Sequence, residues 1–309
     1  MSTATIKVFG HKSPDTDSTG SPIIWAWYLS DVRGTPAKPY LLGEPNTEAA
    51  FVLKHWDLPK PEIISDVSAS DSVVIVDTNN PAELPPSIND ANVIGIIDHH
   101  MLVGGIKTKT PIHITIRPLA CTATILRDLI GDDLGRAPRA IKGAMLSCIL
   151  SDTLEFRSPT TTPHDRAVAE QLAADLGVNI PDLAAALFKA KSDVSAFSDA
   201  ALLRMDSKEY TLAGKELRVS VLETTSPKVL LDRKAALMAA MPGVAKEDNA
   251  DQVLLFVIDI LNEEATLLVP NDLVKQMAEA SFGVKVTGDT VVLPGIMSRK
   301  KQIIPALKL

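Results

Sequence analysis

The chain has 309 residues, a length that suits two domains, and its 46% hydrophobic and 22% charged residues are typical of a folded protein with a large core. Its net charge of −7 argues against a nucleic-acid-binding surface, since phosphate backbones are bound by an excess of Lys and Arg. No apolar run is long enough to cross a bilayer, so we predict a cytoplasmic protein with neither a nucleic-acid nor a membrane partner. Cys121 and Cys148 lie in apolar surroundings and are interpreted as core residues that form no disulfide.

The first 190 residues alternate between short apolar strands and helices. The predicted strands are residues 5–9, 38–42, 72–77, 93–98 and 112–116. The predicted helices are residues 22–32, 46–58, 121–130, 138–150, 164–176 and 181–189. This alternation is typical of βαβ units, so we predict an α/β domain over residues 1–190 with a parallel sheet covered by helices.

The pattern changes after a polar segment, residues 191–198, which we interpret as a linker. Strands are predicted at residues 208–212, 217–224, 251–261 and 265–269, with helices at residues 227–240 and 271–282. Strands and helices of this spacing predict a smaller α+β domain with a mixed sheet over residues 199–309.

The segment Gly10–Ser18, with the sequence GHKSPDTDS, directly follows the first predicted strand. It brings one imidazole and two carboxylates together, those of His11, Asp15 and Asp17. Its proline and small residues predict a loop, and loops at the carboxyl end of a strand are where open α/β sheets bind ligands. The segment alone is equally compatible with a divalent-cation site and with a polar turn.

Further acids and imidazoles stand at the ends of predicted elements. Asp77 and Asp98 each follow a buried strand, and His99 and His100 come directly after Asp98. Asp152 ends an apolar helix, where the helix dipole opposes a negative charge. Carboxylates grouped in this way would repel one another unless cations neutralised them. Oxygen and imidazole ligands without a thiolate favour Mn²⁺, Co²⁺ or Mg²⁺ over structural zinc, and enough are present for two ions that share a carboxylate.

A short basic run near the C-terminus, residues 298–302 with the sequence SRKKQ, supplies positive charge in an acidic protein. Such a run suits a compact polyanion such as phosphate, but an isolated run is more often a solvated turn. Lys208, at the first strand of the second domain, is equally ambiguous when taken alone.

The GHKSPDTDS segment, the Asp98–His100 triplet, the Ser151–Thr153 segment and the SRKKQ run together resemble family II inorganic pyrophosphatases, the manganese-dependent members of the DHH phosphoesterase superfamily. The resemblance covers nearly the whole chain in the same order. It implies an enzyme that hydrolyses pyrophosphate to two phosphates and a homodimer paired through the N-terminal domain. One departure is Thr78, which stands where relatives usually have His, and this puts the support of a neighbouring ligand and the metal affinity in doubt.

The resemblance also implies roles for individual residues. Two Mn²⁺ ions per subunit are expected, with Co²⁺ or Mg²⁺ as substitutes and an additional Mg²⁺ that arrives with the substrate. One Mn²⁺ would be held by His11, Asp15 and Asp77. The second would be held by Asp17, Asp77, His99 and Asp152, with Asp77 bridging and Asp98 in support. Four residues would bind the pyrophosphate oxygens and act in catalysis: His100, Lys208, Arg299 and Lys300.

The expected mechanism is in-line attack on one phosphorus by a hydroxide that bridges the two ions. The cations of the second domain would stabilise the leaving phosphate, and His100, if protonated, would donate a proton to it. We expect domain closure across residues 191–198 to complete the site and exclude water.

Two alternatives follow from the same residues. One is another DHH phosphoesterase, acting on polyphosphate, short oligonucleotides or a nucleotide. The sequence lacks the glycine-rich His motif usual in relatives that act on nucleic acid. The other is a metal- or nucleotide-sensing protein with a vestigial site, against which the intact ligand set argues.

Overall fold

The computed structural model describes residues 5–194 and 196–309. The chain divides into two compact units. One unit runs to Phe156 and includes Thr160–Leu187, and the other comprises Arg157–Pro159 and Phe188–Leu309. Residues 1–4 of the predicted first domain and Ser195 of the predicted linker lie outside the described residues, and the predicted domain boundaries stay a prediction. Within the described ranges, no helix combines the length and the apolar composition that crossing a membrane requires.

The first unit contains a six-stranded parallel sheet, which confirms the predicted fold class. Its strands are β1 (Ile6–Phe9), β2 (Ala37–Leu41), β3 (Glu62–Ile63), β4 (Ser72–Val76), β5 (Asn92–Asp98) and β6 (His113–Ile116). The spatial order is β3-β2-β1-β4-β5-β6, so the strand order reverses between β1 and β4. Such a reversal leaves a crevice at the carboxyl ends of the two strands, where open α/β sheets bind ligands.

Among the described residues, two α-helices lie between the first three strands, and four follow β6 along the chain. They are α1 (Thr16–Trp27), α2 (Thr47–His55), α3 (Thr122–Ile130), α4 (Arg139–Asp152), α5 (Pro163–Leu176) and α6 (Ile180–Lys191). Two glycines let α4 approach its neighbours closely: a Cβ on Gly20 of α1 would collide with Cys148, and one on Gly143 of α4 would collide with the Trp56 ring. Trp56 Nε1 also donates to Ser147 Oγ at 2.9 Å. The middle of α4 is therefore packed closely against α1 and the C-terminal end of α2.

The start of α1 differs from the prediction. The helix begins at Thr16, six residues before the predicted start at Pro22, so Asp17 lies in its first turn rather than in a loop. Asp15 is the N-cap, and its side chain accepts a hydrogen bond from Ser18 N at 2.9 Å. A capping carboxylate is a stronger start signal than a proline, and Pro22 is accommodated inside the helix.

The second unit contains a five-stranded sheet with the order β11-β10-β9-β8-β7. Its strands are β7 (Ser207–Leu212), β8 (Lys215–Thr224), β9 (Gln252–Asp259), β10 (Glu264–Leu268) and β11 (Thr290–Pro294). Among the described strands of this sheet, only β8 and β9 pair in parallel, so the predicted mixed sheet is confirmed. The helices are α7 (Asp199–Met205), α8 (Pro227–Leu231), α9 (Lys234–Glu247), α10 (Asp272–Phe282) and α11 (Ile304–Ala306).

The predicted helix at residues 227–240 is wrong in one respect, because the structure divides it into α8 and α9. Arg233 stands at the break, where its guanidinium donates to Asp199 Oδ1 at 2.7 Å and to the Phe197 carbonyl at 2.9 Å. These contacts, distant in sequence, fix the chain in a conformation that helical periodicity could not predict. Four short elements, β3, α7, β11 and α11, were also missed.

Candidate metal centre

The crevice at the carboxyl edge of the parallel sheet brings together the acids and imidazoles of the sequence motifs. His11 follows β1, Asp77 follows β4, His99 follows β5 and Asp152 ends α4. They form three groups whose potential ligand atoms all lie within 4.8 Å of one another. The groups are His11, Asp15 and Asp77; Asp17, His99 and Asp152; and Asp77, His99 and His100.

Asp77 belongs to two of these groups because its two carboxylate oxygens face different imidazoles. Oδ2 lies 3.5 Å from His11 Nε2, and Oδ1 lies 3.4 Å from His99 Nε2. These separations are long for hydrogen bonds but are close to the spacing of two ligands on one cation, about 3 Å for bonds of ~2.1 Å. The backbone of Asp77 is left-handed, with φ of 59°, an uncommon conformation for a residue with a side chain. Asp77 is thus placed to serve two ions.

Hydrogen bonds orient the two neighbouring imidazoles. His99 Nδ1 lies 3.1 Å from the Leu119 carbonyl oxygen, which can only accept, so this nitrogen carries a proton and the ring turns Nε2 toward Asp77 Oδ1. His100 Nδ1 lies 2.8 Å from Asp98 Oδ1. A second hydrogen bond that fixes the tautomer and the ring is typical of metal-binding histidines.

Asp98 stands behind this pair and is fully buried. Its Oδ1 accepts hydrogen bonds from the backbone N–H groups of His99 and His100 at 2.7 and 3.0 Å. Asn79 Nδ2 donates to its Oδ2 at 2.5 Å. Burial raises the pKa of Asp98, but the hydrogen bond from His100 and the charges of His100 and His99 together outweigh burial, and the pKa falls to about 2. Asn79 was not predicted to matter, although its place two residues after a strand-end acid is the signal that could have identified it.

Asp17 is anchored by the start of α3, which the sequence motifs do not include. Its Oδ2 accepts from Thr122 N at 2.6 Å, and its Oδ1 accepts from Ala123 N at 3.3 Å and from Ser21 Oγ at 2.6 Å. The N-terminus of a helix favours a negative charge, so α3 fixes the orientation of this carboxylate. Thr122 Oγ1 also donates to Asp77 Oδ1 at 3.1 Å.

The short spacing of the GHKSPDTDS segment distributes its side chains between two groups. The second oxygen of the capping residue Asp15 lies 3.5 Å from His11 Nε2, whereas Asp17, in the first turn of α1, joins His99 and Asp152. Asp152 Oδ2 is buried and accepts no hydrogen bond. A buried carboxylate oxygen without a donor, at a helix end that opposes its charge, is suited to contact a cation.

The negative charges of the centre also favour the binding of cations. Burial, and then repulsion from Asp77, raises the pKa of Asp17 to about 7. Burial, followed by the charge of Asp17, raises the pKa of Asp152 well above its ordinary value. Burial lowers the pKa of His11, but Asp15 and Asp77 together raise it to about 10. Protons on these groups compensate charge that divalent cations would compensate better, so the residues present fit ions of the Mn²⁺ type.

The cysteines take no part in this donor set. Cys121 and Cys148 are buried and free, as predicted. Burial, followed by the negative charge of Asp17, raises the pKa of both thiols well above the ordinary value. They are therefore neutral core residues rather than thiolate ligands.

Thr78, the departure from the usual His, contacts a segment next to the centre. It is buried, and its hydroxyl donates to Glu83 Oε2 at 2.7 Å and accepts from Asn80 N at 3.2 Å. The backbone carbonyl of Glu83 in turn accepts from Lys12 N at 2.9 Å. Thr78 is thus linked to the backbone beside His11.

The predicted substrate-binding cations lie in the second unit. Arg299 Nη2 lies 2.7 Å from Asp206 Oδ1, and its Nη1 donates to the Asp206 carbonyl at 2.8 Å. Lys208 lies two residues beyond Asp206 on β7. Arg299 is largely buried, and Ser298 caps its π-helical turn by accepting from Lys301 N at 3.2 Å. Arg299 is therefore not part of a merely solvated turn.

Comparisons with known proteins define the class first. Residues 5–152 match the model of the DHH family N-terminal domain, and residues 185–309 match that of the DHHA2 domain. The chain shares its fold with an exopolyphosphatase-related protein from Bacteroides fragilis, at 13% identity and a TM-score of 0.52, over 97% of this chain and 89% of that one.

Closer relatives define the family. The chain is 39% identical to a Deinococcus radiodurans protein named "probable manganese-dependent inorganic pyrophosphatase", over 98% of both chains. A Lactobacillus acidophilus protein of the same name is 35% identical over 97% of this chain and 96% of its own. A crystal structure of a Methanococcus jannaschii protein named "putative family II inorganic pyrophosphatase" superposes with a TM-score of 0.85 at 32% identity, over 97% of this chain and 98% of that one. The chain belongs to the family of manganese-dependent, or family II, inorganic pyrophosphatases, and the resemblance in its sequence is confirmed.

Proposed function

We propose that the chain is an inorganic pyrophosphatase that hydrolyses pyrophosphate to two phosphates with two bound Mn²⁺ ions. The observation that carries the proposal is the position of Asp77, whose two oxygens face the imidazoles of two different ligand groups. Two ions that share a carboxylate lower the pKa of a water molecule and neutralise the charge of a transferring phosphoryl group.

The two ions divide the ligands between them. His11, Asp15 and Asp77 hold one ion. Four residues hold the other ion: Asp17, Asp77, His99 and Asp152. The 3.4–3.5 Å spacings around Asp77, the orientation of the His99 ring by the Leu119 carbonyl and the buried Asp152 Oδ2 without a hydrogen-bond donor support this division. Co²⁺ or Mg²⁺, which accept the same oxygen and nitrogen ligands, are the expected substitutes.

Four residues bind the substrate in this proposal: His100, Lys208, Arg299 and Lys300. An additional Mg²⁺ accompanies the pyrophosphate. His100 is the most exposed imidazole of the centre, at 27% for its side chain, and Asp98 holds its Nδ1. A protonated His100 would therefore present its other nitrogen to a leaving phosphate oxygen. Arg299 would exchange the contact of its Nη2 with the Asp206 carboxylate for contacts with phosphate oxygens, whose geometry suits a guanidinium group.

Phosphate release from three substrates tests the proposal: pyrophosphate, a long-chain polyphosphate and p-nitrophenyl phosphate, each with Mn²⁺ and with a chelator. We expect rapid, chelator-sensitive release from pyrophosphate and little from the other two. Preferential release from polyphosphate would favour the exopolyphosphatase alternative. Metal binding without any hydrolysis would favour the sensing protein.

We also propose a homodimer formed through the first unit. Strand β6 ends the strand order of the sheet, and four large apolar side chains of the adjoining segment and strand are exposed: Met101, Leu102, Val103 and Ile114. An edge strand beside an apolar patch favours pairing with a second copy of the chain. Light scattering should give a dimer for the native chain and a monomer for Leu102→Asp, and a monomeric native chain would refute the proposal. The cytoplasmic location stays a prediction, which cell fractionation would test.

A further inference from the structure

Glu48 is a buried carboxylate that none of the sequence motifs includes. It lies in the first turn of α2, and its exposed fraction is 0%. A helix N-terminus favours a negative charge, but burying a carboxylate is costly unless specific donors replace water. The partners of Glu48 therefore reveal what this position is used for.

Two hydroxyls from different helices donate to the same oxygen of Glu48. Thr16 Oγ1 lies 2.9 Å from Glu48 Oε2, and Ser151 Oγ lies 2.6 Å from it. Thr16 begins α1 and stands between the two carboxylates of the GHKSPDTDS segment. Ser151 directly precedes Asp152 at the end of α4. Glu48 thus joins the two helix ends that carry three of the six candidate metal ligands.

We propose that Glu48 is a positioning residue that sets the spacing of the carboxylates around both ions. The inference rests on the proposed function for the identity of the metal ligands. The contact between Gly20 and Cys148 holds α1 against α4 within the helices, but it leaves the two ends to be fixed separately. Asp152 Oδ2 has no hydrogen-bond donor, so the position of this oxygen depends on its backbone. Glu48 fixes that backbone through the preceding serine, and a shift of even ~1 Å at a ligand would be costly.

The experiment measures Mn²⁺ affinity by calorimetry on the full chain, without reference to hydrolysis. Glu48→Ala removes the acceptor, and we expect its affinity to fall by about 10–100-fold, the usual effect of losing a group that supports a ligand. Glu48→Gln keeps one acceptor oxygen for the hydroxyls, so its loss should be smaller. Ser151→Ala should weaken binding in the same direction, and combining it with Glu48→Gln should give less than the product of the two effects.

Asp128→Asn is the matched control, because it removes a carboxylate of the same unit whose contacts are with Arg117 and His164. It should bind Mn²⁺ as the native chain does. If Glu48→Ala and Glu48→Gln melt at lower temperature in chelator but bind Mn²⁺ with native affinity, Glu48 is structural only and the proposal is overturned. If Glu48→Ala fails to fold, the Mn²⁺ affinities of Glu48→Gln and Ser151→Ala test the proposal instead. Native Mn²⁺ binding without pyrophosphate hydrolysis would refute the proposed function and leave this inference standing.

Discussion

The candidate metal centre and the basic cluster Lys208, Arg299 and Lys300 hold their charges in different ways. In the metal centre, Asp17 and Asp77 are each 1% exposed and are anchored by donors from other elements. In the basic cluster, Arg299 is paired with an Asp206 side chain that is 45% exposed. A buried, cross-linked set of ligands suits ions that stay bound. A cation held by an exposed carboxylate suits a ligand that arrives and leaves.

The two regions also compensate charge differently. The acids of the metal centre raise the pKa of His11 to about 10, and burial together with neighbouring acids raises that of Asp17 to about 7, so protons fill the role of cations. Arg299 instead has an ion-pair partner within its own unit. The comparison predicts that changes in the first region alter metal binding, whereas changes in the second alter substrate binding alone.

The largest effect is expected from Asp77→Ala. Both ions lose their shared ligand, and two buried imidazoles lose the carboxylate that they face. We expect hydrolysis to fall by about a thousandfold or more, ~4 kcal/mol of transition-state stabilisation. Metal analysis of the purified variant should show loss of both ions.

Asp71→Asn is the matched control for this change. Asp71 precedes β4, at the opposite end of the strand from Asp77, and pairs with Lys7 at 3.0 Å. It should keep both ions and nearly native hydrolysis. An Asp77→Ala variant with two tightly bound ions would contradict the bridging role.

The strand-end residues of the metal centre could be predicted from the sequence because parallel strands place their carboxyl ends at one edge. Asp77 and His99 follow continuous apolar runs, which are typical of buried parallel strands. The sequence therefore places both residues at the carboxyl ends of strands, at the same edge of the sheet. The start of α1 was wrong because Pro22 outweighed the N-cap Asp15. The capping contact between Ser18 N and Asp15 is the local signal that identifies the observed start.

The supporting residues could not be predicted, since their partners are remote in sequence. Glu48 contacts Ser151, 103 positions away, and Thr122 contacts Asp77, 45 positions away. No motif spacing encodes such contacts, and a polar residue in a helix is ordinarily interpreted as exposed. The break at Arg233 was missed for the same reason.

The pH dependence of Mn²⁺ affinity is the next largest effect. Burial and repulsion from Asp77 raise the pKa of Asp17 from 3.8 to about 7, and Asp15 and Asp77 raise that of His11 from 6.5 to about 10, so each group binds its proton more tightly in the folded chain. Without metal, the two bound protons stabilise the folded chain at low pH. The contribution of Asp17 is lost as the pH rises from 3.8 to about 7, and that of His11 is lost as the pH rises from 6.5 to about 10. Mn²⁺ must displace the same protons, so between about pH 6 and 8 its affinity should rise by about 100-fold where it replaces the proton of His11 and by about tenfold where it replaces that of Asp17. Calorimetry in two buffers of different ionisation enthalpy counts the released protons, and a flat profile would contradict this account.

Arg299→Ala should alter substrate binding and leave the metals in place. Losing a charged hydrogen-bond donor to phosphate costs about 1.5–3 kcal/mol, so KM for pyrophosphate should rise by about 10–100-fold. Lys301→Ala is the control from the same turn, since Lys301 is exposed and its Nζ donates to the Pro159 carbonyl at 2.9 Å. Unchanged kinetics in Arg299→Ala, or loss of Mn²⁺ from this variant, would contradict the prediction that changes in the basic cluster alter substrate binding alone.

The smallest effect is expected from Thr78→Val, which probes the edge of the metal centre. The change removes the hydroxyl that donates to Glu83 Oε2 at 2.7 Å, at a cost of about 1 kcal/mol in stability. Because Glu83 connects to the backbone beside His11 through Lys12 N, Mn²⁺ affinity should fall only a few-fold, with no change in KM for pyrophosphate. Thr78→Ser keeps the hydroxyl and should retain native affinity. If Thr78→Val instead raised KM for pyrophosphate and left the Mn²⁺ affinity unchanged, this position would act on the substrate. That result would contradict the prediction that changes in the metal centre alter metal binding, whereas changes in the basic cluster alter substrate binding.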